Sequence, residues 1–200
     1  MPRAPRFDRQ ASLDRAVDLF WSRGYYACSM KHIEQALDMR PGSLYATFGS
    51  KNGLFAEALE AYALRMAAEF QQVMAESPSP LAGLKGYLRA LAQPCRLNPQ
   101  TPPQACMLVK TLLEVNPEDA ALKSKANRIF AIVESGLCAV LKQAKAAGEL
   151  RADTDCQRLA RLLQAQIMGL RTFAERDVPA EQIEALAEDM ASVLDAYSTV

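Results

Sequence analysis

The stretch SMKHIEQALDMRPGSLYATFGSKNGLF, residues 29–55, holds two short helical patterns joined by a tight turn, with a further helix starting just behind them. Ser29 suits an N-cap, since its hydroxyl can accept an orphan backbone N–H at a helix start. Behind it Met30, Ile33 and Leu37 recur at the helical period and face inward. The turn falls at Asp38-Met39. Pro41 then opens the second short helix at its first position, where a missing N–H costs nothing. Leu44 and Phe48 bury, while Ser43, Ala46 and Thr47 point elsewhere. Small and hydroxyl side chains are what a helix carries if it is to lie in a DNA major groove. The pattern therefore reads as a helix-turn-helix. The alternative is an ordinary helical hairpin with a proline start.

Outward from this stretch the chain reads as all-α, with about nine helices. The first starts at Asp8 as N-cap, buries Leu13, Ala16, Val17 and Phe20, and ends at Gly24. That leaves Arg3 and Arg6 on a loose arm. Ser50 can cap a long helix to residue 76, before the SPSP break at 77–80. Further helices are expected at about 81–93, 104–115, 118–147, 155–174 and 179–197, with a second break, NPQTPP, at 98–103. The expected division is a three-helix head over 1–51 and a ligand-binding and dimerisation body over 52–200, joined by the helix from about 50 to 76.

Composition narrows the function classes. Half of the 200 residues are hydrophobic, 23% are charged, and the net charge is zero, as in a soluble globular chain. The zero hides an asymmetry: residues 1–51 hold eight Lys/Arg against five acids, and the remainder compensates. A basic first quarter suits a nucleic-acid-binding head. No apolar run approaches the roughly 20 residues of a membrane span. The N-terminal MPRAPRFDRQ lacks a signal-peptide core, so a cytoplasmic protein without a membrane partner is expected. Five cysteines, at 28, 95, 106, 138 and 156, form no C-x-x-C pair, which argues against a disulfide framework. With His32 as the one histidine, neither a metal cluster nor a Ser-His-acid set is expected. A glycine-rich phosphate loop is also missing from the sequence. The expectation is a non-enzyme without cofactor. Phe20, Trp21, Tyr25 and Tyr26 read as packing within the head.

The segment LFWSRGYYACSMKHIEQALDMRPGSLYATFGSKNGLF, with its glycine-aromatic pair, Ser cap, following isoleucine, G-S-L-Y-x-x-F and S-K, resembles the TetR family of transcriptional regulators. The likeness extends over the full length. It implies a repressor on a palindromic double-stranded operator, released by an unidentified small-molecule inducer. By position, it gives Ser29, Tyr45 and Lys51 to phosphates. Arg40, Pro41, Gly42, Ser43, Ala46 and Thr47 take the groove-facing positions. Arg40 can read guanine with its paired donors or hold a phosphate. Four positions depart from the family pattern: Cys28, Glu34, Asp38 and Gly53 stand where threonine, alanine, glycine and an acid are usual.

The resemblance further implies a homodimer built from the last two helices. Their apolar stripes, Leu159, Leu163, Ile167 and Leu170, then Leu186, Met190, Val193 and Leu194, are the candidate interface. Cys106, Met107, Thr111, Phe130, Met168 and Phe173 are candidate ligand-lining residues, although such spacing also suits plain core. Cys106 in QACMLVKTLLEV resembles the NemR-like, electrophile-responsive branch of the family. A helix N-terminus and Lys110 one turn on could lower its pKa; as a small apolar core residue it would be inert. Cys95 is a possible partner thiol. His32 could meet a phosphate or be a plain surface histidine. Three functions stay open: an inducer-released repressor, a redox or electrophile sensor signalling through Cys106, and a helical protein with no DNA role.

Overall fold

The computed structural model describes residues 8–92 and 106–199. Arg3, Arg6, Cys95 and the break at 98–103 lie outside the described residues. The described residues form nine α-helices: α1 (Arg9–Arg23), α2 (Met30–Leu37), α3 (Pro41–Phe48), α4 (Lys51–Glu76), α5 (Pro80–Ala90), α6 (Met107–Glu114), α7 (Ala120–Ala146), α8 (Cys156–Phe173) and α9 (Ala180–Ser192). The helix expected from 118 opens as a 3-10 turn, Pro117–Asp119, and the last one closes as another, Val193–Tyr197. The only pairing of strand type among the described residues is an isolated antiparallel bridge between Leu150 and Ser198.

Local chemistry explains the boundaries. Asp8 caps α1 by accepting from the Ala11 amide at 3.1 Å, and Asp155 caps α8 by accepting from the amides of Gln157 and Arg158. Gly24 ends α1 at φ 79°, a backbone region open to glycine and strained for other residues.

The chain packs as two compact units. The first comprises residues 1–65 and 107–127, the second 66–106 and 128–200. Packing thus extends the first unit beyond residue 51, because the opening turns of α4 supply Leu54, Phe55, Ala58 and Leu59, all buried, to its core. Phe20 stands edge-on to Phe55 at 4.8 Å between ring centroids, and Tyr25 tilts against Phe55 at 4.9 Å. The core of the second unit is aliphatic. Leu84, Leu88, Leu141, Ala144, Leu163 and Leu194 lie at its centre, with Cys138 and Cys156 among them as small apolar fillers.

Candidate nucleic-acid interface

The geometry of the first unit starts from α2. The Ser29 hydroxyl accepts from the His32 amide at 3.2 Å. The Ser29 amide donates back to His32 Nδ1 at 3.3 Å, so the two residues form a capping box. His32 therefore has a structural role in the α2 start, with the Ala27 carbonyl 3.3 Å from the same ring nitrogen. Asp38 turns the chain out of α2 in the left-handed conformation, at φ 52°. Asp tolerates that region better than most residues, which is how the chain manages without the usual glycine. Arg15 donates to the Leu37 carbonyl at 3.0 Å, satisfying one of the orphan acceptors at the end of α2.

On α3, Leu44 and Phe48 are buried and hold the helix by its inner face. The Arg9 guanidinium lies 5.1 Å from the Phe48 ring and pairs with Glu57 at 2.6 Å. Arg40, Pro41, Gly42, Ser43, Tyr45 and Ala46 are exposed, and Thr47 is half-buried. Tyr45 is 49% exposed. The Thr47 hydroxyl donates to the Ser43 carbonyl at 2.7 Å. The sequence-predicted groove residues thus share one solvent-facing strip over a rigid underside.

The α3–α4 junction accounts for another departure. Ser50 Oγ accepts from the Gly53 amide at 3.0 Å, and a Cβ at position 53 would meet the Phe48 carbonyl oxygen at 2.2 Å. The acid expected there would not fit this junction. Lys51, half-buried, places its ammonium 4.3 Å from the centre of the Tyr25 ring. Burial lowers its pKa and raises that of the neighbouring Cys28 thiol.

Several expectations need correction. Leu159, Leu163, Ile167, Leu170, Met190 and Leu194 are buried in the core of the second unit, with Leu186 packed against it and Val193 half-buried. An amphipathic stripe shows that a face is covered, but not whether its own chain covers it. The apolar residues left outward on α8 are Leu162, Ala165 and Gly169. Met107 and Thr111 belong to the first unit, whereas Cys106, Phe130, Met168 and Phe173 belong to the second. The Thr111 hydroxyl is spent on the Met107 carbonyl at 2.8 Å. Lys110 donates to the Trp21 carbonyl, at the end of α1, at 3.1 Å. Cys106 itself is 5% exposed.

Tyr26 is 45% exposed; its ring stands edge-on to Tyr25 at 4.9 Å between centroids, as expected of a packing aromatic, and it also makes polar contacts. Its hydroxyl donates to Asp119 at 2.9 Å and accepts from the Asn116 amide at 3.0 Å. Sequence reasoning missed Asp119, Asn116, Glu114 and Asn52, whose partners lie far away along the chain. It also missed Tyr87, buried against Phe70 at 4.8 Å. Burial raises the Tyr87 pKa, with Arg171, Glu69 and Cys106 near enough to act on it.

Comparison with known proteins follows the same outline. Residues 13–58 match the model for bacterial regulatory proteins of the tetR family, and residues 81–193 match the tetracyclin repressor-like C-terminal domain. The chain is 31% identical over 182 residues to the HTH-type transcriptional repressor ComR of Escherichia coli (strain K12), covering 90% of this chain and 86% of ComR. It is 29% identical over 199 residues to the uncharacterized HTH-type transcriptional regulator YezE of Bacillus subtilis (strain 168), covering 98% and 100%. Among solved structures, a cysteine mutant of the TetR family transcriptional regulator CifR, complexed with 26bp double-strand operator DNA, superposes with a TM-score of 0.84 at 34% identity, covering 96% of this chain and 98% of that one.

Proposed function

The chain belongs to the TetR family of bacterial regulatory proteins, and on that premise we propose that it represses transcription from a palindromic operator, bound as a homodimer with α3 of each copy in the major groove. The observation that carries this reading is the solvent-facing strip of α3, held from beneath by Leu44 and Phe48. Ser29, Tyr45 and Lys51 take phosphates and set register. Arg40, Pro41, Gly42, Ser43, Ala46 and Thr47 lie along base edges and backbone. Two copies related by a two-fold axis fit half-sites about one DNA turn, roughly 34–36 Å, apart. On this reading residues 1–51 carry the DNA contacts, the remainder of the first unit, 52–65 and 107–127, braces them, and ligand binding and dimerisation fall to the rest of 52–200, in the cytoplasm.

The test is a mobility shift on DNA selected by the protein from a random pool, across a salt series. Steep salt dependence is expected, because released counterions dominate phosphate binding. A protein that selects no sequence and shifts no duplex at low salt defeats the reading and favours a helical protein with no DNA role. The dimer face proposed in place of the buried stripe is the outward strip Leu162, Ala165 and Gly169 of α8. A side chain added at Gly169 meets nothing within 4 Å in the single chain. Gly169→Trp should therefore leave the fold intact and shift sedimentation towards the monomer; an unchanged dimer would sink this face.

Release from DNA is a population shift: an inducer that prefers the non-binding state lowers operator affinity by its differential free energy, typically about 1–3 kcal/mol. Its proposed lining is Cys106, Phe130, Met168 and Phe173, with Tyr87 added. A second reading makes Cys106 the signal, as in the NemR-like branch. Its position directly before the first residue of α6 is the observation on which this reading rests. The two readings part on one experiment: Cys106→Ser abolishes the response to electrophiles under the second and preserves a response to a reversible inducer under the first.

A further inference from the structure

Residues 110–119 grip the helix-turn-helix from one side, all within the first unit. Lys110 donates to the Trp21 carbonyl at 3.1 Å, where a cation also suits the negative end of α1. One turn later on the same face of α6, the Glu114 carboxylate accepts from the Tyr25 amide at 3.1 Å. Asp119 then uses both oxygens: one accepts from the Tyr26 hydroxyl at 2.9 Å, the other from the Asn52 side-chain amide at 2.6 Å. The Tyr25 hydroxyl closes the circuit by donating to the Asn52 side-chain oxygen, Oδ1. Room for this arrangement is reserved at Gly24, where an added Cβ would stand 2.5 Å from a Glu114 carboxylate oxygen.

We propose that Glu114 and Asp119 are positioning residues for operator binding, an inference that rests on the DNA-binding reading above. Neither carboxylate belongs to the α3 strip, and a bare acid near DNA would oppose binding. Here both are occupied by donors from the head itself. What they hold is specific. Tyr25 and Tyr26 lie four and three residues before Ser29, and Asn52 directly follows Lys51. The two backbone segments that present the proposed phosphate contacts on either side of α3 are thus both fixed from residues 114–119. A register error at either one misplaces α3 without touching it.

The test uses the full-length protein and a duplex selected by the wild type, read by fluorescence anisotropy with a stoichiometric titration to count binding-competent molecules. Glu114→Ala and Asp119→Ala should raise Kd about ten- to hundred-and-fifty-fold, the range for losing a hydrogen bond to a charged group. The competent fraction and the salt slope should stay as in the wild type. Glu114→Gln, whose amide oxygen still accepts from Tyr25, should stay within about twofold by the same reasoning. Should an alanine variant fail to fold, Tyr26→Phe and Glu114→Gln carry the test, with Tyr26→Phe expected to weaken binding about threefold or more at full competence. Wild-type Kd in Tyr26→Phe and in every variant that folds overturns the proposal. So does a loss that merely tracks the competent fraction, which marks a purely structural role, and so does a Glu114→Gln as weak as Glu114→Ala. A wild type that selects no duplex defeats the DNA-binding reading instead, so the two failures are distinguishable.

Discussion

Both units bury an apolar core, and the first adds directional bonds beside its helix-turn-helix. The first ties distant parts of the chain with directional bonds: Tyr25 to Glu114, Tyr26 and Asn52 to Asp119, Arg65 to Asp14 and Asp18. In the second, interlocking Leu and Ala side chains fill the centre, and ion pairs such as Arg89–Glu188 stand at the surface. Hydrogen bonds specify angle and register, whereas apolar burial specifies volume and is indifferent to small rotations. A surface that must match DNA backbone to fractions of an ångström calls for the first kind. A body proposed to answer a ligand tolerates apolar burial, which can repack.

The comparison breaks most visibly in the aliphatic core. Leu141→Ala should cost about 2–5 kcal/mol in denaturant unfolding, while Leu141→Met should cost less than about 1.5 kcal/mol. Equal costs would mean that this core also depends on exact shape. In the first unit, Gly24→Ala should cost about 1–3 kcal/mol from backbone strain alone. It should also weaken operator binding, because the new methyl displaces Glu114. A neutral Gly24→Ala would show that the close approach of the carboxylate is slack.

Smaller effects sharpen the division between strip and scaffold. Arg40→Ala should cost about 1–3 kcal/mol at one operator position if Arg40 reads guanine; as a phosphate contact it should weaken all sequences alike and reduce the salt slope by about one. Smallest of all is a pH effect. The Arg65 hydrogen bond holds the Asp14 pKa below its ordinary value. Its contribution is present above the unfolded-state pKa and is lost as pH falls through the lower folded-state value. Both partners are well exposed, so solvent screens the pair and the slope should be slight. A thermal-melt series from pH 6 to below the carboxylate range, compared with Asp14→Asn, measures it. A steep loss confined to the wild type would place this pair among the main supports of the first unit.

Local signals made much of this architecture legible. The Ser29 cap, Pro41 at a helix start, the buried Leu44 and Phe48, and Gly24 at the end of α1 all lie within one turn of what they determine. The strip on α3 was readable for the same reason. Other features depend on partners that periodicity cannot supply. The stripe on α8 and α9 was visible as apolar, but only the packed chain shows that Leu163 and Leu194 cover each other's core and leave Leu162 outward. Asp119 falls in the first turn of the helix expected at about 118–147 and is the anchor of Tyr26 and Asn52, 93 and 67 positions away. Cys106 and Lys110 sit one turn apart, yet spacing could not tell that the lysine reaches Trp21.

The first unit is discontinuous in sequence, and this has a consequence for the order of its birth. When residue 65 leaves the ribosome, α1, α2 and α3 have been made, but Glu114, Asn116 and Asp119 have not. Roughly sixty more residues must follow before the unit is complete, about 3–12 s at synthesis rates of about 5–20 residues per second. Through that interval the nascent groove reader can fold its three helices without the bonds that square them to DNA. A message broken or a chain cut before residue 119 therefore yields a fragment with every residue of the α3 strip and without its clasp.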